Sequence, residues 1–424
     1  MFFHDWIFLI FTGGTLLNAL IALNSPKHLI LFAFNFLFSL FVGWKAAADP
    51  SIIYSKQGPE HARLCSASGY PKSKNFVEDC NMIGSLSAMS SLFPNQRVKS
   101  GNQQSELFYK APASAYEKRL YGLAKSLISS HPATSLIVWV NGNIIFEAYQ
   151  YGRTDKTKFA SFSMQKSLLG QLVGIAIDEG KISSLSDKVT EYYPALADTG
   201  WSEVSILQAL TMTSAMPADQ RGLLVPILFR NQSVTNGLKG LSKPTGKHGV
   251  SFRYNDANSL VLGKVIEGAY KQKLAVVLSR KIWSKIGAES DATVLTNNKG
   301  EAVSSAFFNA RSRDYLRWGL LFLSDGKNFQ GEQVISKRWV DEIAGKGELT
   351  RTCPMRRGCL PGGFGYSAHN WLLPRSDGYI FMGKYGQEVA IFPKSNTVVV
   401  LTGASKDPIM KSMYFREIIA AASR

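Results

Sequence analysis

Ser163 and Lys166 are three residues apart in Phe159-Ala160-Ser161-Phe162-Ser163-Met164-Gln165-Lys166-Ser167-Leu168-Leu169-Gly170, and between them they can make a nucleophile. Leu168, Leu169, Leu172, Val173, Ile175 and Ala176 follow at helical spacing, which predicts a helix with Ser163 at or near its start. Free backbone N–H groups and the positive dipole end favour a developing anion there. The spacing puts hydroxyl and ammonium on one helix face. A desolvated lysine with a lowered pKa can take the serine proton, which is why Ser-x-x-Lys is a hydrolase signature. Alone the signature is weak. Ser324 and Lys327 repeat it across the turn residues Asp325-Gly326, and a serine N-cap beside a solvated lysine has the same letters.

Two further stretches can complete the chemistry. Val250-Ser-Phe-Arg-Tyr254-Asn255-Asp256-Ala257-Asn258-Ser259 places Tyr254 at a loop-to-helix junction. Beside a lysine ammonium its phenol is expected to have a lowered pKa and to shuttle protons. Gly383-Lys384-Tyr385-Gly386-Gln387 enters a strand that ends at Pro393. Glycines at a strand edge let a substrate approach, and a strand N–H can serve as an oxyanion donor.

The elements that must position these residues are legible in outline. Ser135 to Tyr149 holds two β-rich runs around Asn141-Gly142, a tight hairpin signal. Helices are expected at Tyr116–Ser129, from the Ser163 stretch to Asp178, at Val204–Leu210, Ala257–Ala275, Arg311–Leu323, Ser336–Ala344 and Pro408–Ala422. Strands are expected at Trp371, Glu388–Phe392 and Thr397–Thr402. Sheet elements at both ends with a helical block between them (about residues 165–300) imply an α/β (α+β) domain over residues 113–422 carrying a helical insertion. Residues 49–112, rich in Ser, Gly, Pro and Lys, read as a loop-rich lead-in that wraps it.

Composition narrows the class. The 424 residues, 45% hydrophobic and 19% charged, describe a globular chain. Its net charge of +17 is scattered, with no zinc-ligand spacing and no basic helix, which argues against nucleic acid and suits an anionic surface. The chemistry calls for no metal and no cofactor. Residues 6–24 are uncharged and long enough to span a bilayer, and a second apolar run covers 29–44. Residues 1–48 therefore read as a membrane anchor or signal region, with Ala46-x-Ala48 resembling a cleavage site. Lys27-His28 between the runs places the globular part outside the cytoplasm, periplasmic or otherwise extracytoplasmic, and attached to the cytoplasmic membrane. Cysteine spacing suggests two local disulfides, Cys65 with Cys80 and Cys353 with Cys359.

Taken in order, the stretches resemble the serine β-lactamase and penicillin-recognising hydrolase superfamily, and in particular its class C-like and esterase branch, which includes the 6-aminohexanoate-dimer hydrolases. Ser163-Met-Gln-Lys166, Ser205 to Ser214, Phe252-Arg-Tyr254-Asn-Asp256 through Gly263, and Asn309 to Gly319 carry the likeness, which covers about residues 115–422. The resemblance implies an antiparallel sheet flanked by helices. It implies Ser163 as nucleophile of an acyl-enzyme, Lys166 as base, and Tyr254 as base toward Ser163 and acid toward the leaving group. It implies an oxyanion hole from the N–H groups of Ser163 and Lys384, and substrate contacts at Asp256, Gly386 and Gln387. The family's Tyr-x-Asn is here Tyr254-Asn255-Asp256. Its Lys-Thr-Gly is either Lys384-Tyr385-Gly386 or, counting back from Pro393, Phe381-Met382-Gly383. The second register is preferred, and it removes the cation that would hold a β-lactam carboxylate. The expected activity is hydrolysis of a small amide, ester or peptide. A non-catalytic relative that binds cell-wall or peptide ligands is the other class.

Overall fold

The hairpin expected at Asn141-Gly142 forms, and both turn residues take positive φ (47° and 95°), the turn geometry that matches the twist of the flanking strands. The computed structural model describes residues 52–60, 62–241, 243–352, 363–407 and 412–423. In the first part of the chain lie β1 (Ile52–Tyr54), β2 (Asn95–Val98), β3 (Phe108–Tyr109), β4 (Ala133–Val140), β5 (Asn143–Tyr149) and β6 (Lys158–Ala160). Then come β7 (Ala292–Leu295), β8 (Phe308–Arg311), β9 (Arg351–Thr352), β10 (Gly365–Ser367), β11 (Asn370–Leu372), β12 (Tyr379–Gly383), β13 (Gln387–Phe392) and β14 (Thr397–Gly403). Among the described residues the larger sheet runs β1-β5-β4-β14-β13-β12-β11-β10-β9, with β3 also on β5, and the smaller runs β2-β7-β8-β6. Within the larger sheet only β1 and β3 pair in parallel. The expected mixed fold with an antiparallel-dominated sheet is present.

Six helices matter for the site: α1 (Asp79–Leu86), α2 (Ala115–Ser130), α3 (Gln165–Asp178), α4 (Asp256–Tyr270), α5 (Ser312–Leu320) and α6 (Met413–Ala422). Side chains alternate across the sheet. Val389 and Ile391 of β13 join the core that holds Trp318 of α5, while Ala390 and Phe392 join the core that holds Phe415 and Ile418 of α6. The helix α2 packs beside α6 and begins with a capping box, Ser114 and Glu117 each accepting the other's backbone N–H.

The helix α3 runs through the core. Every residue from Gln165 to Ala176 is buried, so its apolar character runs around the helix rather than along one stripe. Leu168, Leu169, Leu172 and Val173 are at most 1% exposed, each contributing roughly 1.5–3 kcal/mol by burial. Gly170 and Gly174 let neighbours approach. The Trp339 indole donates to the Gly170 carbonyl at 2.8 Å, and a side chain at Gly174 would collide with that indole ring.

The lead-in is more ordered than its composition suggests. Its strands β1 and β3 extend the main sheet, β2 pairs with β7, and a Cys65–Cys80 disulfide ties α1 back to the preceding turn. That pairing is the one expected from spacing, whereas Cys353 and Cys359 lie outside the described residues. Sequence reading missed the smaller sheet, whose strands of three or four residues are too short to show a period.

One expectation is corrected. Among the described residues no helix is long and apolar enough to cross a membrane. The runs 6–24 and 29–44, on which membrane attachment and an extracytoplasmic place were expected, lie outside them. Neither expectation is retained.

Candidate active site

Strand β6 ends at Ala160, and the chain turns at once into a short 3-10 turn, Phe162–Met164, that leads into α3. Two contacts fix this turn. The Ser161 N–H donates to the Phe308 carbonyl at 2.7 Å, and the Tyr315 hydroxyl donates to the Phe159 and Phe308 carbonyls at 2.8 and 3.1 Å. Phe162 takes a φ of 45°, a conformation that a bulky residue adopts only under constraint. The constraint is aromatic packing. Phe162 touches Phe76 from the lead-in, Phe307 and Tyr385, with centroids 6.1, 5.1 and 4.9 Å away. Ser163 is thereby lifted to a partly exposed position while its neighbours Phe162 and Met164 stay buried.

Lys166 lies one turn further, wholly buried. Its Nζ is 3.0 Å from Ser163 Oγ, 2.5 Å from Asp256 Oδ1 and 2.6 Å from the Ser305 carbonyl. Three acceptors match the three protons of an ammonium. Asp256 is the first residue of α4, and the N-terminal end of a helix favours its negative charge. Asn255 caps that helix by accepting the Ala257 N–H at 2.9 Å, and its amide nitrogen donates to the Met216 and Pro217 carbonyls. The cap therefore fixes Tyr254 and Asp256, on either side of it, against the loop at 216–217.

The Tyr254 phenol lies beside Ser163 and Lys166 and is influenced by both. Its ring stacks on Trp371 of β11 at 5.4 Å and 24°, meets Tyr366 edge-on, and lies 5.1 Å from Lys166 Nζ. Behind Lys166, His369 contacts the Leu210 carbonyl through Nδ1 at 2.9 Å and Ser259 Oγ through Nε2 at 3.1 Å.

The electrostatics differ from the sequence expectation in two respects. Burial pulls the Lys166 ammonium down, but Asp256 and then Tyr254 pull harder the other way and hold it above the ordinary lysine value. The lysine is not the depressed base that the Ser-x-x-Lys spacing suggested. Burial pushes the Tyr254 phenol up. The Lys166 ammonium pulls against that and Asp256 opposes the pull, so the phenol is raised rather than lowered. Asp256 reverses the first expectation, and burial, with Asp256 adding to it, reverses the second.

The third stretch is a turn, not the run of strand expected. Gly383 ends β12, and Gln387 begins β13 directly opposite it. Between them Tyr385 and Gly386 take φ of 69° and 85°. A Cβ on Gly383 would collide with the Ser161 carbonyl, so the backbone entering Lys384 lies against the turn that carries Ser163. Phe381 is wholly buried and stacks on Trp318 at 4.4 Å, away from Tyr254 and in the opposite core. Of the three expected substrate contacts, Asp256 and Gln387 are buried and bonded within the protein. Asp256 is a buried partner of Lys166. Gln387 is buried, donates to the Tyr385 and Gly403 carbonyls and accepts the Gly403 N–H, so it holds the turn. Gly386 supplies the turn's positive φ.

Sequence reading missed Ser305, Phe162, Trp371 and His369. Only the small-residue run Ser304-Ser305-Ala306 offered a signal, one of close backbone approach.

Comparison with known proteins identifies the family. The Beta-lactamase family model matches residues 123–421. A 6-aminohexanoate-dimer hydrolase of Paenarthrobacter ureafaciens is 26% identical over 289 residues, 65% of this chain and 73% of that one. A Bacillus anthracis protein provisionally described as a 6-aminohexanoate-dimer hydrolase has a similar structure, with TM-score 0.70, 22% identity, and 83% and 96% of the two chains covered. EstCE1, a hydrolase with promiscuous acyltransferase activity, gives a TM-score of 0.59 at 15% identity over 73% of this chain and 98% of its own. With the family model spanning residues 123–421 and the ordered motifs inside it, the chain belongs to the beta-lactamase family, as a serine hydrolase.

Proposed function

We propose that the chain cleaves small amides or esters, linear amide oligomers and short peptides among them, through an acyl-enzyme on Ser163. The observation that carries this reading is the Ser163 hydroxyl itself. It is partly exposed and 3.0 Å from Lys166 Nζ, with the Tyr254 phenol beside it, while Lys166 is tied into the protein behind it.

In this reading Ser163 Oγ attacks the substrate carbonyl, and its proton passes into the group formed by Lys166, Asp256 and the neighbouring Tyr254. The carbonyl oxygen takes the negative charge. The N–H groups of Ser163 and Lys384 receive it, one from the first turn before α3 and the other from the start of the β12–β13 turn. Tyr254, a neutral phenol, gives its proton to the leaving amine or alkoxide and is reprotonated from the Lys166 side. The acyl group stays on Ser163. Water then attacks the ester, its proton goes to the same group, and Ser163 Oγ recovers a proton as the acid leaves.

The similarity to a 6-aminohexanoate-dimer hydrolase and the register of the third stretch support this substrate class. In the preferred register Phe381 occupies the place of the family's lysine, and Phe381 is a core residue. That position then supplies no cation for a substrate carboxylate, which favours uncharged acyl groups. The test is Ser163→Ala, which should lower kcat for p-nitrophenyl butyrate by about 1,000-fold or more with the thermal melt unchanged. A well-folded variant that keeps most of its activity would end this reading.

A further inference from the structure

We infer that Asp256 is the terminal acceptor of the Ser163 proton, acting through Lys166, so that the lysine works as a relay and not as a free amine. The carboxylate and the ammonium are 2.5 Å apart and almost wholly buried, and the same nitrogen is 3.0 Å from Ser163 Oγ. A lysine whose three protons are donated to Asp256, Ser305 and Ser163 has no lone pair for the serine. It gains one by passing a proton to Asp256. Burial helps, because it favours the neutral acid–amine pair over the ion pair. The amine then rotates about its Cε–Nζ bond, turns the lone pair to Ser163 and takes the hydroxyl proton as Oγ bonds to the carbonyl carbon. Lysine ends as it began, an ammonium. Asp256 has gained one proton, Ser163 has lost one, and the negative charge has moved from carboxylate to oxyanion. When Tyr254 gives its proton to the leaving group, the Asp256 proton returns through Lys166 to the phenol, and the balance closes.

The other titratable groups around the pair are Tyr254 on the approach to α4, Tyr366 on β10 and His369 in the β10–β11 turn. Both phenols are raised by burial, and the imidazole is lowered to about 3, again chiefly by burial. None of them changes charge between about pH 6 and 9. A free-amine base would behave differently. With Lys166 held above its ordinary value, the fraction of free amine, and the rate with it, would grow about tenfold per pH unit throughout that range.

This inference rests on the acyl-enzyme reading and is separable from it. Absence of any adduct on Ser163 would end that reading, whereas an adduct with the wrong pH behaviour ends only this one. The experiment is the pH profile of kcat/KM for p-nitrophenyl butyrate. The wild type should vary less than about twofold from pH 6 to 9. Asp256→Asn leaves burial as the main influence on Lys166, so the amine becomes the base, and its profile should gain an acid limb of about tenfold per pH unit. Asp256→Glu keeps a carboxylate and should restore the flat profile at a reduced rate. A wild-type rate climbing tenfold per pH unit to pH 9 would overturn the inference, and that arm needs no variant to fold. An Asp256→Asn profile parallel to the wild type would overturn it as well, because the base would then be the same group with and without the carboxylate.

Discussion

His369 offers a quantitative test of how the site is held. Nδ1–H donates to the Leu210 carbonyl and Nε2 accepts from Ser259, so the neutral ring is satisfied at both nitrogens. Burial is the chief cause of a pKa lowered to about 3, with the Leu210 carbonyl pulling against it and the Lys166 ammonium adding to it. The unfolded chain titrates near the ordinary value of about 6.5. Because the folded value is the lower, the contribution is fully present above pH 6.5 and is lost as pH falls toward 3. From pH 6.5 to 5, at about 1.4 kcal/mol per pH unit, the loss is about 2 kcal/mol. Asp314 acts in the opposite sense. Burial, against the pull of Arg317, pushes its carboxyl up to about 6, so it adds stability at acid pH that is lost as pH rises. The wild-type curve alone therefore mixes the two, and a comparison isolates the histidine. His369→Asn suits the positive φ of 66° and keeps a donor near Leu210. Urea unfolding at pH 7 and pH 5 should show the gap between wild type and variant shrinking by about 2 kcal/mol on acidification. A gap that does not change with pH would refute the buried neutral ring.

Other expectations follow from the same contacts. Asn255→Ala removes the α4 cap and leaves two loop carbonyls without a donor, for a loss of about 2 kcal/mol by denaturant unfolding. Because Tyr254 and Asp256 flank the cap, kcat should fall more than KM rises, and unchanged kinetics would show that the cap does not position them. Substrate choice should follow the missing cation. The kcat/KM for p-nitrophenyl butyrate should exceed that for nitrocefin by at least about tenfold. Faster nitrocefin hydrolysis, abolished selectively by Lys384→Ala, would restore Lys384-Tyr385-Gly386 as the binding register.

What the chain disclosed beforehand was what is local. Ser163 and Lys166 sit one helical turn apart, so their spacing alone placed them together. Tyr254 precedes a capped helix, and its junction could be read from Asn255-Asp256 and the apolar run behind them. Asp256 was visible as a departure from a pattern, but its partner is ninety positions away in sequence. No periodicity reports a contact of that separation, so the direction of the lysine's shift is hidden in the sequence, and the phenol's direction follows chiefly from a burial that is equally non-local. Lys384 was placed on a strand because a glycine-flanked run before apolar residues reads either way. The two positive φ values at Tyr385 and Gly386 decide for a turn. The smaller sheet escaped notice for a different reason, since its pairings join β2 and β6 to strands more than a hundred residues away. Aromatic support for Phe162 likewise comes from Phe76, in a segment whose composition suggested only loop.

The central claim is that an acyl group becomes bonded to Ser163, and intact-protein mass spectrometry tests it most directly. The wild-type chain, mixed with p-nitrophenyl butyrate and quenched in acid within the first turnovers, should gain the mass of one butyryl group. Peptide mapping should place that group on Ser163, and Ser163→Ala should gain none. Turnover of the ester with no adduct at any quench time, or an adduct on another residue that persists in Ser163→Ala, would contradict the account.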